Sequence, residues 1–223
     1  MKKSLPSSTK VVVIGGGVAG CSVAYHLAKF GWKDTILLER DQLTSGTTWH
    51  AAGLVGQLGT TATITKLRKY SLNLYKELEK TTELSTGLKQ NGAITIATSK
   101  ERLQELLRQA TSAKLFDVNV EVLDKQQIKN LYPVINNQDI LGGVHMPEDG
   151  QADPVGVTNL LSKAARNEGV KIFQCIFLHF YMANTENMLN LNLESSQLSF
   201  LGIKFYCVFF YNFKFKIRSK WYH

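Results

Sequence analysis

The feature that most constrains this chain is a run of three glycines placed between an apolar strand and a helix. Val11-Val12-Val13-Ile14 is a continuous apolar run of the kind found in strands buried on both faces. Gly15-Gly16-Gly17-Val18-Ala19-Gly20 follows at once, and a helix is expected from Val18 to Phe30, ended by Gly31. That order of strand, glycines and helix is the context in which G-x-G-x-x-G binds a dinucleotide. Gly15 allows the tight turn, Gly17 omits a Cβ that would block the pyrophosphate, and Gly20 lets the helix pack on the strand. Val18 and Ala19 stand in the first turn of the helix, whose free N–H groups and positive dipole end face the phosphates. A second strand, Thr35 to Glu39, ends in an acidic residue 19 positions after Gly20. A carboxylate there can accept from a ribose 2′-OH and would repel a 2′-phosphate. The glycine pattern leaves NAD and FAD equally open.

The chain reads as regular α/β up to about Gln174. Between Arg40 and Thr60 lies a loop rich in Gly, Thr and Ser. Ile64, Leu67, Leu74 and Leu78 fall on one helical face with Tyr70 beside them, and Ala93–Ala97 alternates like a strand. Ser99 can cap a helix with the face Leu103, Leu106, Leu107 and Ala110. Asp124-x-x-Gln127 is a capping-box variant opening a short helix that stops before Pro133. Asp153-Pro154 marks a helix start with Val157, Leu160, Leu161 and Ala164 facing inward. Gly169 ends that helix, and Val170–Phe173 begins a strand.

Composition sets limits on partners and class. The 223 residues are 20% charged and 44% apolar, which excludes a disordered or collagen-like chain. The net charge of +8 is spread without a polybasic block, so no nucleic-acid partner is expected. Cys21, Cys175 and Cys207 are few, odd in number and far apart, against a disulfide framework or a zinc site and in favour of a reducing compartment. The first nine residues lack the apolar run of a secretory leader. The longest uncharged apolar run, Phe205 to Phe213, is about half of a membrane span, so no membrane span is expected. Residues 175–223 hold 13 of the 22 aromatic residues and five asparagines. They show no sustained period, so residues 175–223 read as an irregular tail of the composition that A/T-rich codons encode, with a divergent β-rich tail as the alternative.

The loop after Glu39 carries a more specific signal than the glycines. Glu39-Arg40, then Leu43-Thr44-Ser45-Gly46-Thr47-Thr48-Trp49-His50-Ala51-Ala52-Gly53-Leu54, resembles the FAD domain of the sarcosine and dimethylglycine dehydrogenases. The likeness continues through Thr86–Gly92, Leu131-Tyr132-Pro133 and Pro147–Pro154, and spans about residues 10–173. The resemblance implies a Rossmann-like FAD-binding domain with a parallel sheet and the start of an α+β substrate domain within residues 1–174. It implies FAD contacts at Val18 and Ala19, at Glu39 and Arg40, and at Gly46, Thr47, Thr48, Trp49, His50, Ala51, Ala52, Gly53 and Leu54. It further implies that His50 bonds covalently to the 8α carbon of the flavin, a role that needs a neutral imidazole nucleophile.

The resemblance also implies an activity: hydride transfer from an N-methylated amine such as sarcosine or dimethylglycine to the flavin. No electron acceptor follows from it. Family members run several times longer, so catalytic residues are expected beyond residue 223, and tetrahydrofolate is a partner of full-length relatives only. The chain as given is therefore expected to be an inactive fragment, with a non-enzymatic FAD-binding regulatory relative as a further alternative. A cytoplasmic location is expected, or the mitochondrial matrix in a eukaryote. His145, at the end of a strand near Pro147, and His26, on the first helix, are lesser candidates. Cys21 reads as a packing residue.

Overall fold

The computed structural model describes residues 5–176 and, by their backbone, the strand segments 178–182, 189–193 and 208–214. In chain order the elements are β1 (Ser8–Ile14), α1 (Val18–Lys29), β2 (Thr35–Leu38), a 3-10 turn at Thr48–His50, β3 (Leu54–Val55) and α2 (Ala62–Thr82). Then come β4 (Ala93–Ala97), α3 (Lys100–Ala113), β5 (Glu121–Leu123), α4 (Lys125–Leu131), β6 (Gly142–Met146) and β7 (Gly150–Gln151). The chain continues through α5 (Pro154–Asn167), β8 (Lys171–Phe173), β9 (Leu178–Met182), β10 (Leu189–Leu193) and β11 (Val208–Lys214). Two compact units result: one of residues 1–51, 78–85 and 154–223, the other of residues 52–77 and 86–153.

The first unit is built on the parallel pairs β1–β2 and β2–β8. All four residues of β2 are buried, as apolar runs without alternation require of a strand covered on both faces. Val12, Ile36, Leu38 and Phe173 form one core cluster, with Leu5, Ile14 and Ile176 packed against it. The crossover helices α1 and α5 pack against each other, bringing together the small buried residues Cys21, Ala24 and Ala28 of α1 and Leu160, Leu161, Ala164 and Ala165 of α5. Gly31 (φ +92°) and Gly169 (φ +101°) end these two helices in a backbone region that favours glycine. The open edge of β1 is paired antiparallel with β11, Ile14 opposite Val208 and Ser8 opposite Lys214. Residues 175–223, irregular by composition, thus contribute strands where they are described; Phe205, Tyr206 and Cys207 lie outside the described residues.

The second unit holds an antiparallel sheet of order β4-β6-β5. One core cluster joins Ala97, Leu106, Ala110, Val144 and Met146; another joins Leu123, Ile128 and Ile140. Ser99 caps α3 by accepting from Arg102 N at 3.2 Å, and Asp124 with Gln127 closes a full capping box on α4. On α2 the expected face differs from the observed one. Ile64 and Leu67 are exposed, whereas Thr65, Leu72, Leu74 and Leu78 are buried. The Thr65 hydroxyl explains the rotation: it accepts from Gly59 N at 3.0 Å and donates to Thr61 O at 3.0 Å, so a polar residue is drawn inward and its apolar neighbour out. Leu107 of α3 is likewise exposed at 39%, beyond the edge of the stripe set by Leu106 and Ala110.

A short ladder at the centre of this unit organises the loops. The β7 segment pairs on one side with β3, Leu54 opposite Gln151 and Val55 opposite Gly150. On its other side Gln151 bridges Lys89, exchanging hydrogen bonds of 2.8 and 3.0 Å. Ala152 N donates to Gly53 O, Asp153 N to Thr86 O and Gly92 N to Asp149 O. Three loop segments that lack hydrophobic period are thereby satisfied by one another. Gly150 is the tightest point, because a Cβ there would drive into the Lys89 carbonyl. Gly150→Ala is expected to destabilise the chain by about 1–3 kcal/mol, the usual cost of overpacking, read as a lowered urea midpoint; an unchanged midpoint would show that the ladder yields freely.

Candidate functional site

The phosphate turn grows directly out of β1. Gly15 has φ +107°, a conformation open to glycine and costly for other residues, and its N–H donates to Leu38 O at 2.8 Å. The turn then leads into α1, with Gly17 as its extended N-cap and no acidic residue in the first helical turn. The positive end of the helix dipole is therefore left without a carboxylate of its own first turn, the arrangement an anion requires. Gly20 is buried in that turn.

Glu39 sits at the end of β2 and braces the glycines. Its Oε2 accepts from Gly16 N at 2.5 Å and its Oε1 from Asp41 N at 3.0 Å. Two of the lone pairs of this carboxylate are thus committed to backbone, and its side chain is half-buried. Arg40 beside it is exposed. Leu43 closes over the same turn, for a Cβ on Gly16 would meet Leu43 Cδ2 at 2.5 Å and Glu39 Cβ at 3.0 Å. Gly16 is formally a variable position of G-x-G-x-x-G, yet a Cβ there would displace the end of the Leu43 side chain and sit tight against Glu39. The triplet Gly15-Gly16-Gly17 was the signal for it.

The loop that follows is tied to the turn by Thr48. The Thr48 hydroxyl accepts from Val18 N at 3.1 Å and lies 2.9 Å from where a Gly17 Cβ would stand. Gly17 therefore makes room for this threonine as well as clearing the approach to the helix N-terminus, a second role not visible from the motif alone. Thr44 N donates to Gly16 O at 3.1 Å. Thr44 and Thr48 are buried, whereas Gly46, Thr47, Trp49 and His50 are exposed. Trp49 and His50 lie ring against ring, 3.7 Å between centroids and tilted by 35°. The 3-10 turn is closed by His50 N donating to Thr47 O and Ala51 N to Thr48 O.

Of the expected site residues, Gly15, Gly17, Val18, Glu39 and Thr48 are joined in one hydrogen-bonded and packed group, with Ala19 and Gly20 in the adjoining helical turn. Ala51 closes the first unit's stretch of this loop, and Ala52, Gly53 and Leu54 begin the second unit. Gly53 has φ +71°; Leu54 is 82% exposed, although its backbone is paired with β7. His145 is placed elsewhere, on β6, with Nδ1 3.0 Å from Glu121 Oε2. His26 hydrogen-bonds within α1 to Ser22 O at 2.6 Å, and Cys21 is a buried helix residue, as expected for packing.

A dinucleotide fits this donor set. The glycines remove Cβ atoms at the turn, the helix end presents N–H groups, and the Glu39 carboxylate closes the next strand, where folds of this kind carry the acid that meets a ribose. Within the first unit a separate open pocket of about 620 Å³ is lined by Gln42, Thr44, Asn159, Lys163, Arg166 and Gln174 among others. It does not include the glycine turn.

Asp149 of the second unit was not singled out by its chemistry in the sequence. It is 4% exposed and accepts from Gln57 N at 2.9 Å through Oδ1. Burial holds its carboxyl above the ordinary carboxylate range; hydrogen bonds from Gln57 and the charge of Arg68 act the other way, and Glu148 adds to the rise. The folded chain therefore holds this proton more tightly than the unfolded chain does, so the stability due to this group is present below about pH 4 and is lost as pH rises through the folded value. Asp149→Asn keeps an acceptor and removes the titration. Its stability relative to wild type is expected to grow between about pH 3 and pH 7, measured by urea midpoints across that range; a constant difference would contradict the assignment.

Comparison with known proteins places the chain. Residues 10–177 match the FAD dependent oxidoreductase (DAO) family. The chain is 42% identical over 173 residues to sarcosine dehydrogenase, mitochondrial, of Homo sapiens, covering 77% of this chain and 19% of that protein. It is 40% identical over 161 residues to dimethylglycine dehydrogenase, mitochondrial, of Rattus norvegicus, covering 72% and 19%. Its fold superposes on L-proline dehydrogenase from P. horikoshii with a TM-score of 0.73 at 25% identity, over 81% of this chain and 48% of that one. The chain thus spans about a fifth of the length of these dehydrogenase relatives. With the parallel sheet, the braced glycine turn and a match over residues 10–177, this chain belongs to the FAD-dependent oxidoreductase family.

Proposed function

We propose that the chain is the dinucleotide-binding part of an FAD-dependent dehydrogenase acting on a small N-methylated amine of the sarcosine or dimethylglycine class, with the flavin attached through His50. The observation that carries this reading is the 3-10 turn Thr48–His50. One end of it is tied by the Thr48 hydroxyl to the N–H of Val18 at the phosphate turn, and the other presents an exposed imidazole. A single rigid turn therefore couples the place suited to the diphosphate to a nucleophilic side chain. The identity of about 40% to sarcosine and dimethylglycine dehydrogenases supports the substrate class.

The residues divide the work as follows. Gly15 and Gly17 leave the space for the diphosphate and the turn Val18-Ala19-Gly20 presents the end of α1 to it, with the N–H groups of Gly15 and Val18 already held by Leu38 O and the Thr48 hydroxyl. Glu39 accepts from the ribose with the oxygen lone pairs not used by Gly16 and Asp41, and Arg40 stands beside it. Gly46, Thr47, Trp49 and Ala51 stand in the same loop as His50, on the approach of the ring. Trp49, stacked on His50, limits the orientations of the imidazole and shields it from water on one face. Bound FAD supplies the acceptor for a hydride from the amine. A covalent link holds the ring without relying on affinity alone.

Purified protein supplied with FAD is expected to be yellow, and acid precipitation should leave the flavin with the protein. His50→Ala should release it to the supernatant. A colourless protein that instead takes up NAD would overturn the reading; flavin that washes out of intact wild type would reduce His50 to a contact. Gly17→Val should abolish flavin uptake, because its branched side chain meets the Thr48 hydroxyl and the diphosphate path together, a cost of about 1–3 kcal/mol from overpacking alone. The 223-residue chain itself is expected not to reduce a dye with sarcosine or dimethylglycine in excess FAD, and turnover at about 1 per second would overturn that expectation.

A further inference from the structure

The open pocket of about 620 Å³ is lined entirely by residues of the first unit. Along α5 it takes Asn159, Ser162, Lys163 and Arg166, whose spacing places them on one helix face. Gln42, Leu43 and Thr44 enter from the loop after β2, Leu84 from the segment after α2, and Gln174 from the end of β8. Lys163 and Arg166 bring two positive charges, and among the described residues no carboxylate lines the pocket.

Both cations are held in place by neutral groups. Lys163 Nζ donates to Thr82 O at the end of α2, and Arg166 Nη1 donates to Ser162 Oγ at 3.3 Å. Ser162 is buried and donates in turn to Asn159 O at 2.9 Å. Among the described residues neither cation makes an ion pair. Like charges one helical turn apart repel, a small cost to α5 that an anion between them removes. An ammonium has three donors and a guanidinium five, so both groups keep donors beyond the contacts they make here. Gln174 Oε1 accepts from Leu43 N at 2.9 Å, a bond that pins the end of β8 to the loop after β2. Its NH2 group is left as a further donor.

The volume falls in the range of small-molecule sites. Two cations match the two charges of a phosphate monoester, and a guanidinium suits its oxygens in a way that a point charge does not. A single carboxylate leaves one cation unmatched. Inorganic phosphate leaves most of the space unfilled, whereas Leu43, Leu84 and Val155 offer apolar lining to an organic substituent.

We propose that this pocket is a second anion site of the first unit, taking a small phosphate monoester with an apolar organic part. The phosphate is received by Lys163 and Arg166, with the amide of Gln174 as a neutral donor. The site stands apart from the flavin reading, since none of Gly15–Gly20, Glu39 or His50 lines the pocket.

Phenyl phosphate is the probe, titrated by calorimetry at low salt into the full 223-residue chain, with inorganic phosphate and phenol as references. Saturable binding is expected for phenyl phosphate, weaker binding for inorganic phosphate and none for phenol. Lys163→Gln and Arg166→Gln should each weaken phenyl phosphate about tenfold, the loss of one charge-assisted contact. Arg102→Gln, on α3 of the second unit, removes an equal charge and should change nothing. Arg166 is exposed, so its variant keeps the test decisive if Lys163→Gln loses the Thr82 contact and does not fold. Excess FAD should leave the affinity as it is. No saturable binding, or the same affinity in Arg166→Gln as in Arg102→Gln, overturns the site. Displacement of phenyl phosphate by FAD overturns its separation from the dinucleotide turn. Inorganic phosphate or phenol binding as tightly as phenyl phosphate overturns the ligand class.

Discussion

The carboxylate of Glu39 is where the architecture of the first unit is concentrated. Its side chain receives the N–H of Gly16 and of Asp41, its own N–H donates to Phe173 O, and its carbonyl accepts from Ile176 N. One residue therefore ties together the end of β1, the end of β2 and the end of β8, the three parallel strands whose carboxyl ends make the dinucleotide crevice of such a sheet. The glycine turn is free to keep Gly15 at positive φ because its next N–H has a fixed acceptor. That carboxylate sits against Gly16 N, just before the N-cap Gly17, while the first turn of α1 itself carries no acidic residue.

The parts of this arrangement that depend on local chemistry were legible in the sequence, and the parts that depend on distant partners were not. Val11–Ile14, the helix from Val18, the cap at Ser99 and the box at Asp124 are each specified within a few residues, and each stands where the local pattern places it. The face of α2 was misread because apolar spacing outweighed Thr65, whose burial is decided by Gly59 and Thr61. Gly16 packs against Leu43, 27 residues on in sequence, Asp149 is matched to Gln57 at a separation of 92 residues, and Gly150 is matched to the Lys89 carbonyl. No period or propensity encodes a close approach between loops. Covalent attachment at His50 belongs to a further level again, since an exposed loop imidazole beside a tryptophan has no signature of its own outside the block of residues that surrounds it.

Thr48 and Asp149 solve the same physical problem in the two units. Segments without regular structure carry N–H groups that need acceptors, and a short side chain projecting from a second segment supplies one at fixed length. A neutral hydroxyl suffices at Val18, where the helix end already orders the backbone. At Gln57 the acceptor is a buried acid, and the difference in cost between the two is large, because a hydroxyl needs little desolvation and a carboxylate a great deal.

The chain passes between its two units four times, at Ala51–Ala52, Glu77–Leu78, Ser85–Thr86 and Asp153–Pro154. Three of those passages fall in blocks through which the family likeness runs, Gly46–Leu54, Thr86–Gly92 and Pro147–Pro154, while the block Leu131–Pro133 lies within the second unit. The fourth lies inside the continuous helix α2, where helical hydrogen bonds carry the backbone across and no special residue is needed. At the other three the backbone has no helix to carry it, and its polar groups are met by Thr48 in the first block and by the ladder among Gly53, Lys89 and Gln151 in the others. Of the residues expected to meet the flavin, Gly46 to Leu54 lie in the first of these crossings, so a loop that must satisfy its own backbone also carries those side chains, whereas Gly15–Gly20, Glu39 and Arg40 are set by the parallel sheet and its first helix.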